Sequence, residues 1–349
     1  MRNQITTLQD ALETRFFAPL RRPRTRRVGV ELEFPIWNRT PGTPTDFAAV
    51  HAATDDFLSR FPFSDQVRDD TGNIYRATDP NTGDELSFDC SYNTLEISFG
   101  PDENLIETHR RFTAYYAALQ EALGRQGHAL TGTGINPRWR ENRPDPIGNG
   151  RYRMLLHHLK SYSKYGGSPR FHDHPEFGLF SCASQTQVDA DEETVVPLIN
   201  AFNLLEPFKA VLLANSPFGK RNETLCGRDS LWSKSLHGLN PHNCGMYGVT
   251  VLYGHGYGAV ELRSLMIRRD WPSFIDRKAL SVQLHRILDV AEEGLARRGF
   301  GEEPLLAPLR RRADTLTSPA REHLARLERG ESIESIALDY GSAEEERHA

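Results

Sequence analysis

Long apolar runs are missing from this chain. No stretch of its 349 residues is long and apolar enough to cross a bilayer, so no membrane association is expected. The start of the chain also lacks an apolar signal core, and Asp10 and Glu13 argue against a mitochondrial presequence, which avoids acids. A basic excess is absent too. The formal net charge is −5, and phosphate backbones demand the opposite sign, so nucleic acid is excluded as the main partner. Cysteines are few: Cys90, Cys182, Cys226 and Cys244. None forms a C-x-x-C pair and a chain of this size needs no disulfide staples, so reduced thiols in a cytoplasm are the expectation. Internal repeats and convincing linkers are likewise absent.

What is present suits a folded enzyme. Hydrophobic residues make up 38% and charged residues 26%, which supports a core and argues against disorder. Residues 4–18 have the spacing of a short helix, with Leu8, Leu12 and Phe16 on one face. Residues 26–34 alternate with period two and predict a strand; 42–61 predict a loop and helix, 70–85 hairpins, and 86–99 a strand. Pro101 and Asp102 open a predicted helix that runs to about Gly124. A short strand and turn follow over 131–137, then a helix over 151–165, a strand over 179–188 and a helix over 192–214. Residues 248–253 and 259–266 read as a hairpin around the Gly-rich stretch 254–258, and 272–298 and 304–328 as helices. Strands separated by hairpins and helices give an α+β class with a largely antiparallel sheet. The expected organisation is one catalytic domain over 1–310, with a C-terminal helical extension and frayed tail over 311–349. The basic cluster Arg21, Arg22, Arg24, Arg26 and Arg27 reads as a solvated approach to the first strand.

Polar groups interrupt several of these strands. Glu31-Leu32-Glu33 puts two carboxylates on one face of a strand, because side chains alternate across it. Like charges side by side repel, so either that strand face is exposed or a positive group lies between them, for which magnesium, an oxygen-seeking cation, is suited; the flanking apolar Val28, Val30, Leu32 and Phe34 favour the second. Asp89 and Glu96 add two more acids, Glu96 lying between Leu95 and Ile97. Glu261-Leu262-Arg263 pairs an acid and a guanidinium on one strand face. That pair is either a simple ion bridge or a holder of metal and phosphate, since Arg matches phosphate geometry. Gln185 and Gln187 also share a face, and their amide oxygens can meet a cation or a substrate. Local breaks in pattern cluster at functional sites, which favours the functional reading of the set.

Other features carry less. His172-Asp173-His174 between Pro169 and Pro175 reads as a solvated loop. His237, His242 and Cys244 have no fourth zinc ligand at fitting spacing. The stretch 254–258 joins two predicted strands, whereas a dinucleotide fingerprint precedes a helix. Cys182 reads as a small core residue.

The order E-x-E, D-x6-E, Q-x-Q, E-x-R resembles that of glutamate–cysteine ligases, which share the glutamine synthetase catalytic fold. Arg151-Tyr152-Arg153-Met154, Cys182-Ala183-Ser184-Gln185, Ala214-Asn215-Ser216-Pro217 and Arg228-Asp229-Ser230-Leu231-Trp232 are similar to the plant and actinobacterial branch and to related carboxylate–amine ligases. The resemblance runs from about Val28 to Trp271 and implies a curved, largely antiparallel sheet forming a funnel with helices outside. It implies ATP as co-substrate and Mg2+, or Mn2+, held by Glu31, Glu33, Asp89, Glu96, Gln185 and Glu261. Glu33, Glu261 and Arg263 would be catalytic, and Gln187, Arg228, Trp232 and Arg263 would face the nucleotide or substrate. Gln185 stands where many relatives carry a metal-binding His. The implied partners are small molecules: an amino-acid carboxylate, an amine and ATP. Open alternatives are a same-fold ligase of another amino acid or amine in natural-product biosynthesis, a guanidine- or phosphate-transfer enzyme on a related fold, and a binding protein that has lost catalysis.

Overall fold

In the computed structural model, residues 7–136, 138–161, 175–198, 251–253, 259–261, 277–297, 306–307 and 310 are described. Strand β1 (Val28–Asn38) lies at the centre. One side of it pairs with β5 (Thr94–Asp102) along most of its length. The other side is shared: β7 (Ser184–Val188) takes the first half and β6 (His128–Leu130) the last three residues. Beyond β5 come β4 (Glu85–Ser87), β3 (Ile74–Thr78) and β2 (Asp65–Arg68); beyond β7 come β9 (Ala259–Glu261) and β8 (Val251–Tyr253). Every described pairing is antiparallel. The mixed helix and strand class and the antiparallel open sheet expected from hairpin spacing are therefore observed.

Two helices cover one face. α3 (Phe47–Leu58) follows the short N-terminal helices α1 (Leu8–Leu12) and α2 (Ala18–Leu20), which are joined by a π-helical turn. The Asp46 side chain starts α3 by accepting from the Ala48 N–H, and Asn104 starts α4 (Leu105–Arg125) by accepting from the Ile106 N–H. Val50, Ala53 and Phe57 of α3 and Tyr115, Leu119 and Leu123 of α4 pack with Phe34, Ile36, Leu86, Leu95, Ile97 and Phe99 of the sheet in one core. Val30 and Leu32 lie against the same cluster. Removing a ring such as Phe57, fully buried here, would cost about 3–5 kcal/mol. Because strand side chains alternate, the residues between these apolar ones, Glu31, Glu33, Glu96 and Ser98, belong to the sheet face opposite the helices.

Several boundaries differ from the sequence expectations. The strand read over 86–99 is two strands, β4 and β5, separated by a turn in which Cys90 has a left-handed φ of 64°. β5 continues through Pro101 and Asp102, so α4 starts at Leu105 instead. The strand expected over 131–137 precedes that range, as β6. The 151–165 helix is α5 (Gly150–Ser161), with 162–165 outside the described residues. The expected hairpin of 248–266 is described at β8 and β9, and the 272–298 helix at Arg277–Ala296. Residues 199–250, 262–276 and 311–349 lie outside the described residues, as do 172–174 and 254–258. No helix among the described residues is long and apolar enough to cross a membrane.

Candidate functional site

Register assembles the polar face in rows. Glu33 stands opposite Glu96 on β5, and Glu96 opposite Ser87 on β4. The neighbouring row runs Glu85, Ser98, Glu31, Gln185. Gly29 stands opposite Gln187. The β7–β9 pairing joins Val188 to Val260, and one step along that antiparallel ladder sets position 261 across from Gln187. Residues far apart in sequence thus meet on one sheet face, with Glu31, Glu33, Glu96 and Gln185 forming its centre.

The electrostatics follow from that crowding. Burial and the charges of Glu33, Glu31 and Asp89 push the Glu96 carboxyl up to about 8, although the Ser98 hydroxyl donates to its Oε1 at 2.6 Å. Glu33 is held from the far side by β7 and the residue before it: the Ala183 N–H donates to Oε2 at 2.8 Å and Gln185 Nε2 to Oε1 at 3.1 Å. Among the described residues no group of three or more His, Cys, Asp or Glu side chains stands ready to hold a metal ion.

Asp89 sits on the turn between β4 and β5, and its carbonyl accepts from the Ser91 N–H at 2.7 Å. The Cys90 thiol donates to Asp89 Oδ1 at 3.4 Å, and burial first, then the Asp89 charge, raises that thiol far above its ordinary value. Tyr152 on α5 is raised in the same way by burial and by Asp89, whereas the adjacent Arg151 opposes the rise at both groups. Asn93, fully buried, fixes the end of the turn by donating to Ser91 Oγ at 2.8 Å and to the Arg143 carbonyl at 3.0 Å. Cys90 adopts a conformation that glycine ordinarily takes, and such strain gathers at functional sites.

Sequence reasoning missed Glu85, which shares the polar face; Arg76 lies 3.8 Å from it and the Thr78 hydroxyl 3.2 Å. It also missed Ser98 and Cys90. Ser98 carried a signal, a hydroxyl two residues after Glu96 on the same strand face; Cys90 carried none. Cys182 is buried, as expected of a core residue. In the basic cluster, Arg21 pairs with Glu13 and with Glu192, the latter at 3.2 Å, which accords with a structural role for that arginine. Arg228, Trp232 and Arg263 lie outside the described residues, and of Glu261 the backbone alone is described.

Comparison with known proteins adds family information. Residues 27–245, more than half of the chain, match the profile described as Glutamate-cysteine ligase family 2 (GCS2). Chloroplastic glutamate–cysteine ligases of Brassica juncea and Arabidopsis thaliana are each 26% identical over 142 residues, 40% of this chain. That stretch is 26% of each relative, so the match spans about a quarter of their length. A bifunctional glutathione synthetase from Pasteurella multocida aligns with a TM-score of 0.47 at 12% identity, covering 91% of this chain and 52% of its own.

Proposed function

The chain belongs to glutamate-cysteine ligase family 2, and on that premise we propose that it joins a carboxylate to an amine at the expense of ATP. Glutamate and cysteine are the first assignments for the two substrates, giving γ-glutamylcysteine. The observation that carries this reading is the face shared by Glu31, Glu33, Glu96 and Gln185, where burial first and then the neighbouring carboxylates lift Glu96 to about 8. A protein that sets carboxylates together at such a cost ordinarily uses them on a cation.

The donor set fits a hard divalent ion, because carboxylate and amide oxygens are what Mg2+, or Mn2+, prefers. Glu31, Glu33, Asp89, Glu96, Gln185 and Glu261 would hold it. When bound, such an ion neutralises charge on the γ-phosphoryl group of ATP during its transfer. The rest falls to the chain. Arg263 would stabilise the transferring phosphoryl group with its guanidinium fork, and Gln187, Arg228 and Trp232 would position nucleotide and substrate. A carboxylate is a poor acyl donor because its oxygen is a poor leaving group. Phosphorylation converts that oxygen into a good one, after which an amine attacks and phosphate departs. No protein nucleophile is required.

The proposed scaffold is a glutamine-synthetase-like funnel with helices on the outer face, formed by one catalytic domain over 1–310. Residues 311–349 would form the C-terminal extension. The test is phosphate release from ATP across a panel of amino acids and amines, with the mass of each product recorded. Glutamate with cysteine is expected to give the fastest release and the dipeptide mass. Release with another pair would keep the chemistry and change the substrates, and release with none would reject the ligase reading.

A further inference from the structure

We infer that Gln185 is a positioning residue for Glu33, its side-chain amide fixing that carboxylate on the polar face of the sheet. The inference rests on the proposed cation-dependent ligase chemistry and deepens it. Strand register pairs Gln185 with Glu31, yet its Nε2 reaches diagonally to Glu33 Oε1 at 3.1 Å. The residue next to Glu33 in that register is Ala183, whose methyl group leaves room for the crossing. Ala183 also meets Glu33 twice: the Glu33 N–H donates to the Ala183 carbonyl at 2.9 Å, and the Ala183 N–H donates to the side-chain Oε2 of Glu33 at 2.8 Å.

Each oxygen of Glu33 therefore has its own donor from the neighbouring segment, and rotation about the last side-chain bond would break both bonds. One of the donors is backbone and present whatever residue stands there. The other is the Gln185 amide, so the identity of residue 185 decides whether Oε1 keeps this donor. An ionised carboxylate only accepts, which commits the amide nitrogen to Glu33 and leaves the amide oxygen as the atom a cation would meet. Losing a partner that orients a metal ligand in this way typically costs about 10–100-fold in metal affinity.

Two substitutions separate positioning from direct ligation. Gln185→Glu supplies a stronger cation ligand but removes the donor and sets an acid against Glu33. Gln185→Met keeps the length and removes the donor without adding charge. Mn2+ binding to the full chain is read by the electron paramagnetic resonance signal of the free ion. Exchange of the Ala183 amide proton is read by NMR on the metal-free protein. Positioning predicts that both variants bind Mn2+ about 10–100-fold more weakly. It also predicts that Ala183 exchanges faster in Gln185→Met. Tighter or equal Mn2+ binding by Gln185→Glu, or unchanged Ala183 exchange in Gln185→Met, overturns the inference. A wild-type chain that binds no Mn2+ would instead remove the cation from the proposed function, and the Ala183 exchange would still decide the role of Gln185.

Discussion

Glu33 on β1 and Glu96 on β5 stand directly opposite each other in antiparallel register, acid facing acid. Like charges at paired positions destabilise a sheet, and here they add to burial in raising Glu96. The direction of the shift fixes a pH dependence. Between 4.5, the ordinary value, and about 8, the folded chain keeps a proton on Glu96 that the unfolded chain has lost. Stability of the metal-free protein therefore falls as pH rises through that window, by an amount on the order of a few kcal/mol. Glu96→Gln should flatten the fall and leave the metal-free protein more stable than wild type at pH 8. Thermal melts from pH 5 to 8.5 check this, and parallel slopes for the two proteins would contradict it. Added Mg2+ should recover the lost stability in wild type at pH 8.

Gly29 offers a test of Gln187. A Cβ at position 29 would meet Gln187 Oε1 at 2.7 Å, the far end of a flexible side chain. Gly29→Ala should therefore move the Gln187 amide while leaving the strand intact. The expected result is a stability change within about 0.5 kcal/mol. The expected loss in kcat/KM is about tenfold, as for a displaced positioning group. Unchanged kinetics would take Gln187 away from the substrate.

Parity along a strand was legible, and register between strands was not. Period-two alternation put Glu31 and Glu33 on one face before any fold was in hand, and the structure has them so. That Glu96 would face Ser87 depends on the turn joining β4 to β5, where Cys90 takes a left-handed conformation with no glycine to announce it, and that Glu33 would face Glu96 is a pairing between strands far apart in the chain. The pairing of β7 with β1 joins positions more than 150 residues apart, such as Glu31 with Gln185, and rests on packing that no local pattern encodes. Pro101 misled the reading of α4. A proline lacks an N–H yet fits near a strand end, and Asn104 supplies the cap three residues later. The strand read over 131–137 comes earlier, as β6, where His128, although polar, is buried and its Nε2 accepts from the Asp46 N–H at 3.1 Å.

Not every buried acid belongs to the site, and Asp84 makes the contrast. It is fully buried, and Arg111 donates to it from Nε at 2.7 Å and from Nη2 at 3.3 Å. The Tyr115 hydroxyl and the Gly100 N–H each donate to it at 3.0 Å. Arg111→Met would leave that carboxylate without its cation and should cost about 3–5 kcal/mol. Urea denaturation measures the loss, while turnover per folded molecule should stay near wild type. A loss below about 1 kcal/mol would mean that the tyrosine and the amide satisfy Asp84 alone.

The order of bond breaking is where the ligase reading is most exposed. The polar face offers carboxylates and amides, and the Cys90 thiol beside it is buried and raised far from ionisation by burial and Asp89. A covalent enzyme intermediate at that thiol is therefore disfavoured, and activation should occur on the substrate carboxylate itself. On the proposed route a carboxylate oxygen would attack the γ-phosphorus, expelling ADP and forming the acyl phosphate; the amine would then displace phosphate, which would leave with that same oxygen. Labelled oxygen placed in the substrate carboxylate should accordingly appear in the released phosphate, one atom per turnover, with ADP as the nucleotide product. The mass of the phosphate and chromatography of the nucleotides read both. AMP and pyrophosphate would place the attack at the α-phosphorus, and ADP with unlabelled phosphate would mean that water takes the γ-phosphoryl group. Either result would reject the acyl-phosphate route even where an amide product forms.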